Sequence, residues 1–150
     1  ARLGEKDGEH YHFLSVDEFK QKIQKDFFLE WSTWYDHYYG SPVSILEDIK
    51  RGTSYLVILD REGAADVAHA YPEALLVWIE PGSLASLENR LKKRGKNSPE
   101  EIANRLEKAK IEMEQEDLEQ LYPFHLINED FEQAKNELIS LVKDHLQEKN

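Results

Sequence analysis

Two short apolar runs, each followed by helix-forming sequence, limit the folds open to this chain more than any other feature. Residues 55–59 and 75–79 are nearly continuous stretches of Leu, Val, Ile and aromatic side chains. A strand that is apolar on both faces is typical of a parallel sheet covered by helices. Alternation of such strands with helices is the pattern of α/β proteins. We therefore predict an α/β fold whose core, residues 53–150, is a parallel sheet flanked by helices.

The remaining elements of this core follow from capping signals and apolar spacing. Ser83 is expected to start one helix, and Ser98, with Pro99 and Glu101, a longer one. Further elements are predicted in this order: a short helix at 63–71, a loop at 94–97, a strand at 125–127 and a helix at 131–147.

The N-terminal third has a different pattern. A short strand is predicted at 11–14, a capping box at Ser15 and Glu18, and paired strands within 27–39 that turn near Asp36. A second helix is expected to start at Ser41-Pro42 and stop at Gly52. We predict that residues 1–52 form a small mixed α+β insertion beside the parallel sheet.

Composition excludes several classes of function. The formal net charge of -11 argues against a non-specific nucleic-acid binder, which needs a basic face. The chain has no cysteine for a disulfide framework, and no apolar run approaches the length of a membrane span. The expectation is a cytoplasmic protein, monomer or homodimer, with neither nucleic acid nor membrane as partner.

Asp60 follows the first apolar run directly. Ligands of open parallel sheets bind beyond the carboxyl ends of the strands, which is where this acid is expected. One interpretation is an acid that orients Mg²⁺ or its waters beside phosphates. The other is a loop aspartate that caps the helix beginning near Gly63.

Three arginines flank the loop at 95–98. Arg90 and Arg94 are four residues apart and share a helix face, and Arg105 lies in the following helix. They could form a solvated basic face with local salt bridges. They could also form a lid that brings positive charge onto a transferring phosphoryl group, whose charge spreads over its equatorial oxygens.

A series of short motifs resembles guanylate kinases along essentially the whole chain, in the order that the family has them. The family pattern R-x-G-E-x-[DN]-G-x-x-Y-x-F is matched from Arg2 to Phe13, followed by F-[IL]-E-[WY] at 28–31 and Y-Y-G-[ST] at 38–41. The later motifs match in the same order: D-x-[QE]-G-A at 60–64, P-x-S at 81–83, R-G-x-x-[ST] at 94–98, R-L at 105–106 and [IV]-N-[DE]-D at 127–130.

The resemblance implies a function and a set of roles. It implies a P-loop kinase-type sheet, a helical lid at about 90–106, and transfer of a phosphoryl group from ATP to GMP with Mg²⁺. Asp60 is implied near Mg²⁺, through water and without direct coordination. Arg94 and Arg105 are implied on the transferred group, and Arg90, Arg94 and Asn128 on ATP. The implied GMP set is Arg2, Glu5, Tyr11, Glu30, Tyr39 and Ser41.

The implied guanine contacts make chemical sense by themselves. A carboxylate at Glu30 accepts from guanine N1–H and the exocyclic amine, and Ser41 bonds the O6 edge. Adenine lacks those two donors, so it leaves the carboxylate unpaired. Arg2 suits the GMP phosphate because its guanidinium forks onto two oxygens, and Tyr11 and Tyr39 add hydroxyl donors.

The sequence departs from the family pattern at two places. No G-x-x-x-x-G-K occurs among the 150 residues, so the expectation is a fragment that does not catalyse transfer alone. Ile58 stands where the family usually has an acid, two residues before Asp60. The alternative function is a non-catalytic guanylate-kinase-like module that binds a phosphopeptide or GMP, and a third possibility is an inactive or engineered remnant. The lid arginines favour the enzyme.

Overall fold

The computed structural model describes residues 4–34 and 37–148, and these residues form two compact units. One unit is Ala1–Pro72 and the other is Glu73–Asn150. Unit 1 holds α1 (Val16–Ile23), β1 (Phe28–Trp34), β2 (His37–Pro42), α2 (Ile45–Lys50) and α3 (Arg61–Ala70). Unit 2 holds β3 (Val77–Glu80), α4 (Leu84–Arg94), α5 (Pro99–Glu119), β4 (Phe124–Ile127) and α6 (Phe131–Glu148).

Unit 1 is built around an antiparallel hairpin. β1 pairs with β2, with Glu30 opposite Ser41 and an irregularity between Phe28 and Glu30. Helix α1 starts with the predicted capping box, in which the Ser15 hydroxyl accepts from the Glu18 N–H. The buried Phe19 ring of that helix stacks on Phe28, with centroids 4.3 Å apart. The hairpin and the capping box were both predicted correctly, and the turn near Asp36 lies outside the described residues.

Three predictions for unit 1 are wrong. Residues 11–14 form no strand, because Tyr11 makes only an isolated bridge to Asp7. Ser41 and Pro42 end β2, since they continue the hairpin ladder opposite β1, and the following helix starts three residues later, at Ile45. The run at 55–59 is neither strand nor buried: Ile58 is 97% exposed, because no described strand pairs with this segment.

Unit 2 contains the parallel pairing that the sequence predicts. β3 and β4 pair in parallel, with Trp78 opposite His125. Trp78 packs on the buried ring of Tyr122, centroids 5.2 Å apart. The core of this unit consists of Leu91, Ile102, Tyr122, Leu126 and Ala134. The α/β prediction is confirmed here, although β3 is half-exposed at Ile79, where burial was expected.

Helix ends in unit 2 follow the capping signals. Ser83 caps α4, and Gly95 ends it in the left-handed conformation at φ +62. Ser98 and Glu101 form a complete capping box at the start of α5. These two caps place the loop at 95–98 between α4 and α5, which pack against each other. Within the described ranges, no helix is both long and apolar enough to cross a membrane.

Candidate nucleotide-binding site

Glu30 is the most unusual side chain of unit 1, because it is an acid with only 4% of its surface exposed. The hairpin register places it opposite Ser41. The Ser41 hydroxyl and N–H both donate to its carboxylate. Burial is the main cause that raises the pKa of Glu30, and the charges of Asp60 and Asp66 raise it further, whereas the two Ser41 hydrogen bonds lower it. A buried carboxylate with few local donors is suited to a ligand that brings N–H donors of its own.

Helix α3 brings Asp60 and Gly63 to the same carboxylate. Asp60 is the N-cap of this helix, and its Oδ1 accepts from the Gly63 N–H at 3.1 Å. The structure therefore contains the helix cap that was one of the two interpretations of Asp60. The other interpretation, a role at Mg²⁺, is a proposal. A Cβ added to Gly63 would lie 3.0 Å from Glu30 Oε2. The first turn of α3 thus closes one side of the Glu30 site.

Two of the predicted phosphate-binding tyrosines also lie together. The rings of Tyr11 and Tyr39 meet edge to face, with centroids 6.1 Å apart. The loop before Tyr11 is ordered by Asp7, whose Oδ1 accepts from the Phe13 N–H at 2.7 Å. Glu5 belongs to the same loop and is half-buried. Arg2, predicted to bind the GMP phosphate, lies outside the described residues.

The lid residues lie in unit 2. Arg90 Nη2 donates to the backbone carbonyl of Asn128, so the two residues predicted on the ATP side are joined directly. The Asn128 N–H in turn donates to the Glu80 carbonyl at 2.8 Å, which ties this loop to the end of β3. Arg94 is the last residue of α4 and is exposed, and Arg105 lies half-buried in α5.

The predicted site residues thus fall into two groups. Unit 1 brings Glu30, Ser41 and Asp60 together and pairs Tyr11 with Tyr39, while unit 2 joins Arg90 to Asn128. Sequence reasoning missed Gly63 and Asp66 as neighbours of Glu30. The glycine of the D-x-[QE]-G-A motif was the available signal for the first, and nothing in the sequence indicated the second.

The described residues contain no group of three or more His, Cys, Asp or Glu side chains that could hold a metal ion by themselves. Mg²⁺ at phosphates keeps several waters and takes one or two carboxylates, so a single acid is enough. Asp60 fits that limited demand, since the cap holds its carboxylate in place at the start of α3.

A buried acid with a raised pKa is typical of ligand sites, and arginines such as those around the loop at 95–98 are typical of phosphate recognition. The family model for guanylate kinase matches residues 1–145. Guanylate kinases from Caldanaerobacter subterraneus and Maricaulis maris are 38% and 42% identical, over 94% of this chain in each case, and the match covers 68% and 64% of their lengths.

A solved structure agrees with these sequence matches. The crystal structure of guanylate kinase from Anaplasma phagocytophilum aligns with a TM-score of 0.75 at 26% identity, over 96% of this chain and 69% of that one. The chain therefore belongs to the guanylate kinase family. It spans about two thirds of the length of the relatives it matches, which support a guanylate kinase function.

Proposed function

We propose that this chain carries the GMP-recognising part and the lid of an ATP:GMP phosphotransferase, which forms ADP and GDP in purine nucleotide metabolism. The observation that carries the proposal is the buried Glu30 carboxylate held by Ser41 beside the cap of α3. Family membership supports the same reaction.

Guanine recognition follows from the chemistry of the Glu30 site. The carboxylate accepts from guanine N1–H and from the exocyclic amine. Once these donors reach Glu30, the single O–H of Ser41 rotates away from the carboxylate and donates to guanine O6. Because Glu30 is buried, a purine without those donors leaves a desolvated charge unpaired, which costs more than the lost bonds alone. Discrimination against adenine is therefore expected to be strong.

The phosphate of GMP is assigned to the Tyr11–Tyr39 pair, with Arg2 and Glu5 completing that side. Edge-to-face packing of the two rings limits the directions in which the phenol hydroxyls can point. Two hydroxyl donors on neighbouring rings suit the oxygens of one phosphate. The roles of Arg2 and Glu5 rest on the family resemblance.

The lid arginines are assigned to charge that develops during transfer. Arg94 and Arg105 contact the transferred phosphoryl group, and Arg90, Arg94 and Asn128 contact ATP. Asp60 would hold Mg²⁺ through water. The ion neutralises phosphate charge when it is bound, and positioned cations stabilise the transition state.

The 150 residues contain no G-x-x-x-x-G-K run, and that backbone cradle with its lysine is what holds the β and γ phosphates in this class of kinase. We therefore expect the 150-residue chain to bind GMP weakly and to transfer no phosphoryl group by itself. Cytoplasmic location and a monomeric or dimeric state remain predictions from the sequence.

The experiment is a titration of the 150-residue chain with GMP and with AMP, followed by amide NMR so that millimolar affinities are measured. GMP is expected to shift the Ser41 and Glu30 amides and AMP is not. Glu30→Gln should weaken GMP binding about 100-fold, because two charge-assisted hydrogen bonds are weakened or lost. Equal GMP affinity in parent and variant would exclude Glu30 as the guanine acceptor.

Two controls bound this result. Glu47→Gln removes an acid from the surface of α2 in the same unit, where its side chain is 60% exposed, and GMP binding should be unchanged. A coupled assay with ATP, GMP and Mg²⁺ should show no turnover by the 150-residue chain. Measurable GDP formation would overturn the expectation that these residues alone are inactive.

A further inference from the structure

Gly63 has no space for a side chain, although its backbone does not need glycine. It lies in the first turn of α3, and its φ is outside the left-handed region that favours glycine. Helices disfavour glycine relative to alanine. A Cβ at this position would lie 3.0 Å from Glu30 Oε2 and 3.4 Å from Asp60 Oδ1. The absence of a side chain at 63 therefore leaves the space that the Glu30 and Asp60 carboxylates occupy.

The Glu30 carboxylate is confined on two sides. Ser41 donates to it from the neighbouring strand through its hydroxyl and its N–H. Gly63 closes the other side at contact distance. With 4% of its surface exposed, Glu30 has little room into which the carboxylate could retreat. A methyl group at 63 must therefore move the carboxylate by a few tenths of an ångström or stretch its bonds to Ser41.

We propose that Gly63 is a positioning residue for purine selectivity: the absence of a side chain at 63 sets where the Glu30 carboxylate meets the guanine edge. This rests on the proposed function of Glu30 as the guanine acceptor. Hydrogen bonds to a carboxylate weaken steeply when distance and direction change, so a small displacement acts on both guanine donors at once. Gly63 acts through Glu30 and does not itself contact the purine.

The test is Gly63→Ala in the 150-residue chain, with GMP and AMP titrations by amide NMR. GMP affinity is expected to fall about tenfold, the loss of roughly one charge-assisted bond, and any weak AMP affinity to stay within about twofold. The unfolding temperature should change by less than about 5 °C, because the helix preference of alanine offsets part of the strain at the carboxylate. His69→Ala, at an exposed position of the same helix, is the matched control and should change neither affinity.

A double-variant cycle distinguishes positioning from a general disturbance of the helix. Glu30→Asp shortens the acid by one methylene group and makes room for a methyl group at 63. In that background, Gly63→Ala should change GMP affinity less than about twofold. An equal loss in both backgrounds would overturn the proposal, because the effect would then not pass through the carboxylate.

A pH titration of the Ser41 amide resonance tests the positioning role of Gly63 without a ligand. The Ser41 amide proton, which donates to Glu30, should titrate with that carboxylate, and Gly63→Ala should shift its resonance and reduce the titration amplitude. An unchanged Ser41 titration together with unchanged GMP affinity overturns the positioning role while Glu30→Gln still weakens GMP binding. If Glu30→Gln itself has no effect on GMP, the proposed function fails, and the positioning role fails with it.

Discussion

Each unit buries one glutamate among its described residues, and the two are held in different ways. Glu30 in unit 1 is 4% exposed, faces Ser41 and lies near Asp60 and Asp66. Glu116 in unit 2 is 1% exposed and accepts from the Tyr122 N–H at 3.0 Å. Glu30 accepts from two groups of Ser41 and has two acids nearby, whereas Glu116 accepts from two backbone N–H groups and has a histidine nitrogen beside it.

The donors around Glu116 belong to the turn that follows its own helix. The Leu121 N–H donates to Glu116 Oε2 at 3.3 Å. His125 is the second residue of β4, and its Nε2 atom lies 3.3 Å from Glu116 Oε1. Gln120, the residue that caps the C-terminus of α5, is in the left-handed conformation. The backbone beyond it therefore turns back over Glu116. The number of donors does not distinguish the two acids, since each accepts two hydrogen bonds. The neighbouring charge does, because Asp60 and Asp66 disfavour the ionised form of Glu30 and make it suited to a ligand that brings N–H donors.

The largest expected effect on stability follows from removal of the Glu116 carboxylate. Glu116→Ala leaves two buried N–H groups without their acceptor, and the unfolding free energy should fall by about 3 kcal/mol, measured by urea denaturation. Glu114→Ala, on an exposed position of the same helix, should cost less than about 0.5 kcal/mol. A loss at Glu116 no larger than at Glu114 would show that the turn is not held by this carboxylate.

Glu30→Gln is the counterpart in unit 1 and should leave stability near neutral pH unchanged or higher. Burial raises the pKa of Glu30 above its ordinary value of 4.5. Protonation of Glu30 therefore stabilises the folded state, and this contribution is complete at a pH below 4.5. This contribution is lost as the pH rises through the folded-state pKa. The stability of Glu30→Gln relative to the parent should therefore increase as the pH rises above 4.5 and become constant above the folded-state pKa. A decrease over that range would contradict the charge assignment at Glu30.

The sequence predicted most of the local structure, for identifiable reasons, and the roles of the site residues stay predictions. Capping boxes at Ser15 and Ser98 were predicted because they depend on residues three apart. The parallel pair β3–β4 was predicted from apolar runs bounded by helices. The pairing of Glu30 with Ser41 was not predicted, since a hairpin register depends on the turn as well as on the strands. The resemblance implied only that both residues contact guanine.

The failures have physical causes as well. Residues 55–59 have the composition of a buried strand, but a strand exists only where a neighbour accepts its hydrogen bonds, and no described strand pairs with them. Ser41-Pro42 has the composition of a helix start, but the hairpin ladder continues through both residues. The burial of Glu116 was not predicted. The acidic composition of this part of α5 does not reveal that the turn after the helix folds back onto one of its glutamates.

A third prediction concerns the rigidity of the hairpin that carries Glu30. A Cβ on Gly40 would lie 2.9 Å from the Glu30 backbone oxygen and 3.0 Å from Trp31 Cβ, and backbone cannot move aside as a side-chain end can. Gly40→Ala should therefore lower the unfolding free energy by about 2 kcal/mol in urea denaturation. Thr33→Ala, on an exposed position of β1, is the control and should cost under about 1 kcal/mol.

Gly82 in unit 2 offers the contrasting case. A Cβ there would meet the Glu129 carboxylate at 2.4 Å, but that group is the end of a flexible side chain, and the cost comes from φ +79. Gly82→Ala should cost about 1 kcal/mol, and removing the Glu129 side chain should not recover it. If Gly40→Ala were the milder of the two, the hairpin would be less rigid than its contacts indicate.

The last pair of variants separates the two arginines of α4. Arg90 is half-buried and donates to the Asn128 carbonyl, whereas Arg94, one turn later, is exposed at the helix end. Arg90→Ala should lower the unfolding free energy by about 1.5 kcal/mol, the value of one hydrogen bond from a charged donor, and Arg94→Ala by less than about 0.5 kcal/mol.

The two variants also separate folding from catalysis in unit 2. Amide NMR of Arg90→Ala should show shifts at Asn128 and at Glu80, which are joined through the Asn128 N–H, and Arg94→Ala should leave both resonances in place. That result would show that Arg90 holds the Asn128 loop in addition to its proposed ATP contact, and that Arg94 has its proposed phosphate contact without a structural role. Equal stability and equal spectra in both variants would mean that Arg90 has no structural role and that both arginines serve the phosphates alone.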